Sequence, residues 1–302
     1  MFVRQLHYLV AVAREGHFGR AAEACHVSQP TLSAGLRKLE EELGQPLVLR
    51  GHRFMGLTEQ GTRVLSWAQR IINDYDGMRQ ELEGSEAGLS GVLRLGAVPP
   101  TLPALTGLLN AFCDRHPAVR VQVQSLSALA IQRGLDDQVL DAGVSYLTGT
   151  RPARLRWLPF FEERYVFVRA TTGGALPETM SWAEAAAHPL CLLTPEMQNR
   201  QIIDAALARA GVVSLPRIEA NTFFGVWSQV CSGAWASIVP HTHLHIFGRI
   251  PGIAAVPLSD PEWVQPVGLV IAERDPLAPV AAAFLRLAER WPWDEAAGGG
   301  AS

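Results

Sequence analysis

Apolar positions in the first sixty residues recur at helical spacing and stop at punctuating residues. Leu6, Leu9, Val10 and Ala13 share one helical face, and Gly16 ends that run, which predicts an amphipathic helix of about four turns. A second, short helix starts at Phe18, with the small residues Ala21, Ala22 and Cys25 on its inner side. Ser28 is a good N-cap and Pro30 sits where its missing N–H costs nothing, so a third helix begins there. It continues through Leu32, Leu36, Leu39 and Leu43 to Gly44, a left-handed terminator. Leu47 to Arg50, a turn through Gly51-His52-Arg53, and Phe54 to Leu57 then read as a β-hairpin. The sum is an all-α winged helix-turn-helix over residues 1–58. From Thr58, a plausible N-cap, no proline occurs until Pro99, and Val64, Ala68, Ile71, Tyr75, Met78 and Leu82 follow a heptad. That predicts a linker helix roughly 38 Å long from Glu59 to Glu83, suited to self-pairing, within a linker of residues 59–90. Gly84, Ser85 and Gly88 supply a flexible joint.

Beyond Gly91 the pattern alternates short apolar runs with helical ones. Strand candidates are Val92–Ala97, Val119–Gln124, Asp141–Tyr146, Tyr165–Arg169, Leu190–Leu193, Ser237–Val239 and Val267–Ala272, with a helix over Leu102–Arg115. Such alternation indicates an α/β domain with mainly parallel sheets over residues 91–295, followed by a disordered tail at 296–302.

Composition narrows the function classes. Hydrophobic residues make up 48% of the 302 and charged residues 18%, enough for filled cores. No apolar run approaches the roughly 20 residues of a spanning helix, and the start shows no signal segment, so a cytoplasmic protein without a membrane partner is expected. The net charge of −3 conceals a local cluster of Arg37, Lys38, Arg50 and Arg53, in which Lys38 is the sole lysine of the chain. Glu40, Glu41 and Glu42 can point away from that cluster. Cys25, Cys113, Cys191 and Cys231 form no C-x-x-C pair, which leaves reduced, mostly buried thiols as the expectation. A redox switch through Cys191 or Cys231 stays open. No nucleophile elbow, phosphate loop, dinucleotide fingerprint or H-E-x-x-H motif occurs, so an enzyme is not expected.

The series Leu9-x-x-Val12, Gly16-x-Phe18, Ala21-Ala22, Val27-Ser28-Gln29-Pro30-Thr31-Leu32-Ser33, Leu39-Glu40, Leu43-Gly44, Leu47, Arg50, Arg53 and Leu57-Thr58-x-x-Gly61 resembles the DNA-binding domain of LysR-type transcriptional regulators. The helix spacing independently nominates Gln29, Thr31, Ser33, Arg37 and Lys38 for the major groove, with Arg50 and Arg53 on a wing beside the phosphates. The resemblance implies contacts from Gln29, Pro30, Ser33, Lys38, Arg50 and Arg53. It also implies a double-stranded DNA operator, a homodimer through the linker helix, and homotetramers. Cys25 stands where relatives often have Leu, and Ala34 and Gly35 where they often have Arg and Gln, which subtracts two possible DNA contacts.

The remainder resembles the periplasmic-binding-protein-like effector domain of that family. That implies two lobes, with crossings near Val166–Ala170 and Pro266–Leu269, hence lobe I at about 91–167 and 268–295 and lobe II at about 168–267. A small-molecule effector is expected between the lobes, at strand ends and helix N-termini, with no other cofactor. The candidate liners are Pro99, Pro100, Thr101, Ser125, Ser127, Ser145, Tyr146, the stretch Thr194 to Gln198, and Asn221 to Phe223. Trp235 stands where relatives carry a small glycine. If Trp235 and Trp227 intrude, the cleft takes only a compact anion, a short carboxylate such as formate. His241, His243 and His245 raise a metal reading, set aside because no acidic or cysteine ligands accompany them.

Overall fold

The computed structural model describes residues 3–50, 54–83, 89–171, 176–213, 215–246, 251–274 and 276–293. Its first unit packs α1 (Val3–Glu15), α2 (Phe18–Ala24) and α3 (Gln29–Leu43) against a hairpin of β1 (Val48–Arg50) and β2 (Phe54–Leu57). Leu6, Leu9, Val12, Ala21, Leu32, Leu36, Leu39 and Leu47 form the core; of the positions the spacing predicts, Val10 and Ala13 are only half-buried and Leu43 is exposed. The punctuation also behaves as expected: Ser28 Oγ accepts the Thr31 N–H at 3.3 Å, and Gly44 closes α3 at φ 66°. Thr58 Oγ1 accepts the Gly61 N–H at 2.8 Å and opens α4 (Glu59–Glu83).

The seam predicted along α4 is only partly free. Ala68 and Ile72 are buried in the core of the first unit, and Val64, Leu65 and Ile71 pack against it, because α1 occupies that face. The apolar side chains left exposed are Trp67 at 61%, Tyr75 at 38% and Met78 at 50%, and the side chain of Leu82 lies outside the described residues.

The second unit has two lobes. Lobe I is a five-stranded sheet in the order β4-β3-β5-β13-β6, formed by β3 (Ser90–Ala97), β4 (Ala118–Ser125), β5 (Ala142–Tyr146), β6 (Leu155–Glu163) and β13 (Gln265–Ala272). The helices α5 (Leu102–Arg115), α6 (Ala128–Asp136) and α11 (Pro279–Ala288) cover it. Lobe II contains β7 (Tyr165–Ala170), β8 (Met180–Ser181), β9 (Cys191–Leu193), β10 (Ile218–Ala220), β11 (Ser237–Pro240) and β12 (Ile253–Ser259). Four of these form the sheet β11-β7-β12-β8, and β9 pairs with β10. Its helices are α7 (Trp182–Ala186), α8 (Gln198–Arg209), α9 (Phe223–Cys231) and α10 (His243–Ile246).

Two expectations need correction. The sheets are mixed: β3 runs parallel to β4 and β5, but β13 is antiparallel to β5 and β6, and β7 to β11 and β12. Parallel neighbours need long crossover connections, whereas β13 enters lobe I directly from lobe II. The crossings also fall earlier than predicted. Only Arg164 separates β6 from β7, and the return lies between Ser259 and Gln265. Hydrogen bonding sets these points, since Val166 to Val168 already pair with lobe II strands and Gln265 already pairs with Glu163 of lobe I.

Candidate nucleic-acid interface and effector cleft

On α3, burial of Leu32, Leu36 and Leu39 turns the opposite face outward. Gln29, Pro30 and Thr31 are exposed on its first turn, Ser33 is half-buried, and Arg37 and Lys38 are exposed further along. Thr31 Oγ1 lies 2.8 Å from Ser28 Oγ, so its hydroxyl is shared with the cap. On the last turn of α3, Glu40 Oε1 accepts the N–H groups of Leu47 at 2.9 Å and Val48 at 3.1 Å. This carboxylate therefore turns inward and fastens the helix to the hairpin, unlike Glu41 and Glu42, which are exposed. Gly35 has a packing role that the sequence did not reveal: a Cβ there would lie 2.7 Å from the Tyr8 ring, so the missing side chain admits α1. Phe18 and Phe54 meet edge to face at 5.9 Å and anchor β2 to the helices. The side chain of Arg50, and Arg53 altogether, lie outside the described residues.

Between the lobes lies a cavity of about 680 Å³. Lobe I contributes Val98, Pro99, Pro100, Leu102, Pro103 and Thr106 after β3, Ser125 to Ser127 after β4, and Tyr146 at the end of β5. Lobe II contributes Leu193, Glu196 to Asn199, Asn221 to Phe223, and His243. Strand ends and first helical turns thus converge, because α5, α6, α8 and α9 all start at the cavity. Two of these helices are capped by their own side chains, Ser127 on the Ala130 N–H at 3.2 Å and Thr222 on the Gly225 N–H at 3.1 Å.

Pro99, Pro100, Ser125, Ser127, Tyr146, Asn221 and Phe223 lie where predicted, while Thr101, Ser145 and Thr194 are not in the cavity wall. Thr101 is fully buried with its hydroxyl donating to the Val98 carbonyl at 2.9 Å, and Ser145 is enclosed in β5, where side chains alternate between faces and Tyr146 takes the cleft side. Thr194 Oγ1 is buried with no hydrogen-bond partner among the described residues, and the nearby Thr194 hydroxyl holds the Glu196 carboxyl below its usual range. Sequence reasoning missed Asn199 and His243, and only a tertiary arrangement could have found them.

Beneath the cavity sits a buried polar cluster at the first crossing. Glu163 Oε1 accepts from Tyr146 OH at 2.8 Å and from Tyr165 OH at 3.1 Å. Both hydroxyls in turn accept from Asn199 Nδ2, at 3.2 and 3.3 Å. Burial raises the Glu163 carboxyl to about 7 against the two hydroxyl hydrogen bonds that lower it. Glu163 Oε2 and Asn199 Oδ1 are buried and have no partner among the described residues. On the other side, Trp227 Nε1–H donates to His243 Nδ1 at 3.2 Å, and burial lowers the His243 ring to about 4.

Two premises of the formate reading fail. Neither Trp227 nor Trp235 lines the cavity, since Trp227 is buried beside His243 and Trp235 packs on the lobe II core around Val226 and Val230. The volume lies within the range of roughly 300–1,000 Å³ common for organic ligands, so a formate-sized occupant is not imposed. The histidines do not share a ligand sphere: His241 Nδ1 accepts the Arg164 N–H at 3.0 Å, His243 faces Trp227, and the side chain of His245 lies outside the described residues. Among the described residues, none that line the cavity is Arg, Lys or Cys. Cys191 is buried, which raises its thiol pKa, and Cys231 is exposed at the end of α9.

Residues 3–62 match the bacterial regulatory helix-turn-helix protein, lysR family, and residues 86–292 match the LysR substrate binding domain. The chain is 27% identical over 286 residues to the DNA-binding transcriptional dual regulator OxyR of Escherichia coli strain K12, covering 92% of this chain and 91% of that one. It is 39% identical over 144 residues to the SDS degradation transcriptional activation protein of a Pseudomonas species, covering 47% of each. Among solved structures it resembles a full-length OxyR variant from Pseudomonas aeruginosa, with a TM-score of 0.74, 26% identity, and coverage of 96% and 97%. It also resembles full-length CbnR complexed with its target DNA, with a TM-score of 0.72, 23% identity, and coverage of 96% and 99%.

Proposed function

This chain belongs to the LysR family of bacterial regulatory proteins, and on that premise we propose that it binds operator DNA as a dimer and changes geometry when a small molecule enters its cleft. The observation that carries the reading is the outward face of α3, with Gln29, Pro30 and Thr31 on its first turn and Arg37 and Lys38 behind them. A first turn that is polar and exposed suits base edges, and the cations that follow suit phosphates. The resemblance implies further contacts from Arg50 and Arg53, whose side chains lie outside the described residues. The match of residues 3–62 to the lysR-family helix-turn-helix supports the same role.

The cleft is the sensor. Its walls come from both lobes, so an occupant that contacts them better when closed shifts the population of closure states. A peroxide response, suggested by the OxyR relatives, needs a reactive thiolate; the buried Cys191 is a poor one, whereas Cys231 is exposed. A short carboxylate such as formate is the competing occupant, to be included in any ligand screen.

Fluorescence anisotropy with duplex DNA from upstream of the reading frame tests the DNA reading. The expected result is specific binding whose logarithm falls linearly with the logarithm of salt concentration. Reversing Arg37 and Lys38 to Glu lowers affinity and flattens that slope by about 0.9 for each phosphate no longer neutralised. An unchanged slope sinks the assignment.

A further inference from the structure

We propose that the cleft selects an uncharged amphiphile, an alcohol or primary amide on an apolar body, held by His243 and Asn199. This rests on the reading of the cleft as the effector site, and its chemistry follows from which polar atoms the protein leaves unpaired.

An indole N–H can only donate. Because Trp227 donates to His243 Nδ1, that nitrogen carries a lone pair, and a neutral ring must then hold its proton on Nε2. The ring is neutral at ordinary pH, since burial lowers its pKa to about 4. Nε2 is buried and has no partner among the described residues, and His243 lines the cavity, so an occupant that reaches this nitrogen meets a donor. The opposite reasoning applies to Asn199. Tyr146 and Tyr165 spend their hydroxyl protons on Glu163, so they can only accept from Asn199 Nδ2, which fixes the amide orientation and leaves Oδ1 as an unpaired acceptor. Both residues are buried and both line the cavity. A hydroxyl or primary amide accepts from one and donates to the other. Pro99, Pro100, Leu102, Leu126 and Met197 give the cavity an apolar wall, and the buried Gln198 Oε1 adds a second acceptor without a partner among the described residues.

A carboxylate fits less well. It has no proton for Asn199 Oδ1, meets no Arg or Lys among the described lining residues, and shares the cavity with the Glu196 carboxylate. A charge taken out of water without a partner is strongly disfavoured.

Calorimetric titration of the full-length protein with octan-1-ol and with sodium octanoate at pH 7.5 compares two head groups on similar chains. Octan-1-ol is expected to bind at least tenfold more tightly. His243→Phe should weaken its binding about tenfold and leave ligand-free operator binding unchanged. Trp227→Phe removes the donor that locks the tautomer, and nitrogen-15 spectra of the wild-type histidines should show His243 protonated on Nε2. If His243→Phe does not fold, the Trp227→Phe titration and the tautomer decide. Octanoate binding as tightly as octan-1-ol, no binding of either probe, unchanged octan-1-ol affinity in the folded variants, or an Nδ1–H tautomer would each overturn the proposal. Absence of operator binding in the ligand-free wild-type protein would instead overturn the regulator reading.

Discussion

Two buried titratable groups flank the cleft, and they pull stability in opposite directions. Glu163 has a folded pKa of about 7 against an ordinary 4.5, so its protonated form is favoured in the fold. That contribution is complete below about 4.5 and is lost as pH rises through 7; the gap corresponds to about 3 kcal/mol. His243 has a folded pKa of about 4 against 6.5, so its contribution is complete above 6.5 and is lost as pH falls through 4. Between about 4.5 and 6.5 the two slopes oppose each other and nearly cancel. Glu163→Gln removes one of them, and its melting temperature is expected to climb from pH 5 to pH 6.5 where that of the wild type changes less. Melts that run parallel across that window would refute the assignment. Gly35 presents a steric case. Gly35→Ala places a methyl against the Tyr8 ring and should destabilise the first unit despite the better helix propensity of Ala, while Tyr8→Leu in the same chain should restore much of the stability.

At the scale of elements, the joint between α3, the hairpin and α4 is held by a few directed contacts. Glu40 receives two backbone N–H groups, from Leu47 and from Val48 at the start of β1, and Thr58 receives one from α4 while donating to the Pro46 carbonyl at 2.7 Å. Removing the acceptor leaves amides unsatisfied, so Glu40→Ala is expected to cost about 1–3 kcal/mol in urea denaturation and to weaken operator binding. Glu40→Gln, which keeps a carbonyl oxygen, should lose less. The same joint explains Gly61: a Cβ there would collide with the Leu47 carbonyl oxygen, so Gly61→Ala should be among the most damaging small substitutions in the unit. If its denaturation midpoint matches that of the wild type, the close approach of α4 to Leu47 is wrong.

For the whole molecule, α4 connects the two units physically. It lies across α1, meets α11 where Gly77 faces Pro279, and reaches the end of α6 through Arg70, which donates to the Asp136 carbonyl and sits 3.6 Å from Asp137. A shift of lobe I therefore has a packed route to the helix that bears the DNA-binding unit. The exposed stripe of Trp67, Tyr75 and Met78 is the apolar surface that α4 leaves for a second copy. Replacing Trp67 and Met78 with Lys is expected to shift the protein to monomers in sedimentation velocity and to weaken operator binding, with the melting temperature of each unit little changed. A dimer that survives both changes would place the interface elsewhere.

The legible features were those governed by neighbours in sequence. Ser28, Pro30, Gly44 and Thr58 act within a turn or two of themselves, so the helix-turn-helix, its wing and the long helix were readable from spacing and caps. Pro99, Ser127, Asn221 and Phe223 were readable for the same reason, since ends of strands and starts of helices announce themselves locally. The side of α4 that is buried, the mixed sheets and the crossing at Arg164 depend instead on which strand or helix lies alongside, which no local pattern encodes. The cleft chemistry belongs to that second class. Asn199 acquires its meaning from Tyr146, 53 residues away, and His243 from Trp227, 16 residues away. A hydrogen bond of this kind depends on distance in space, so residue order alone determined the parts of this protein, and tertiary packing decided which polar atoms were left for a ligand.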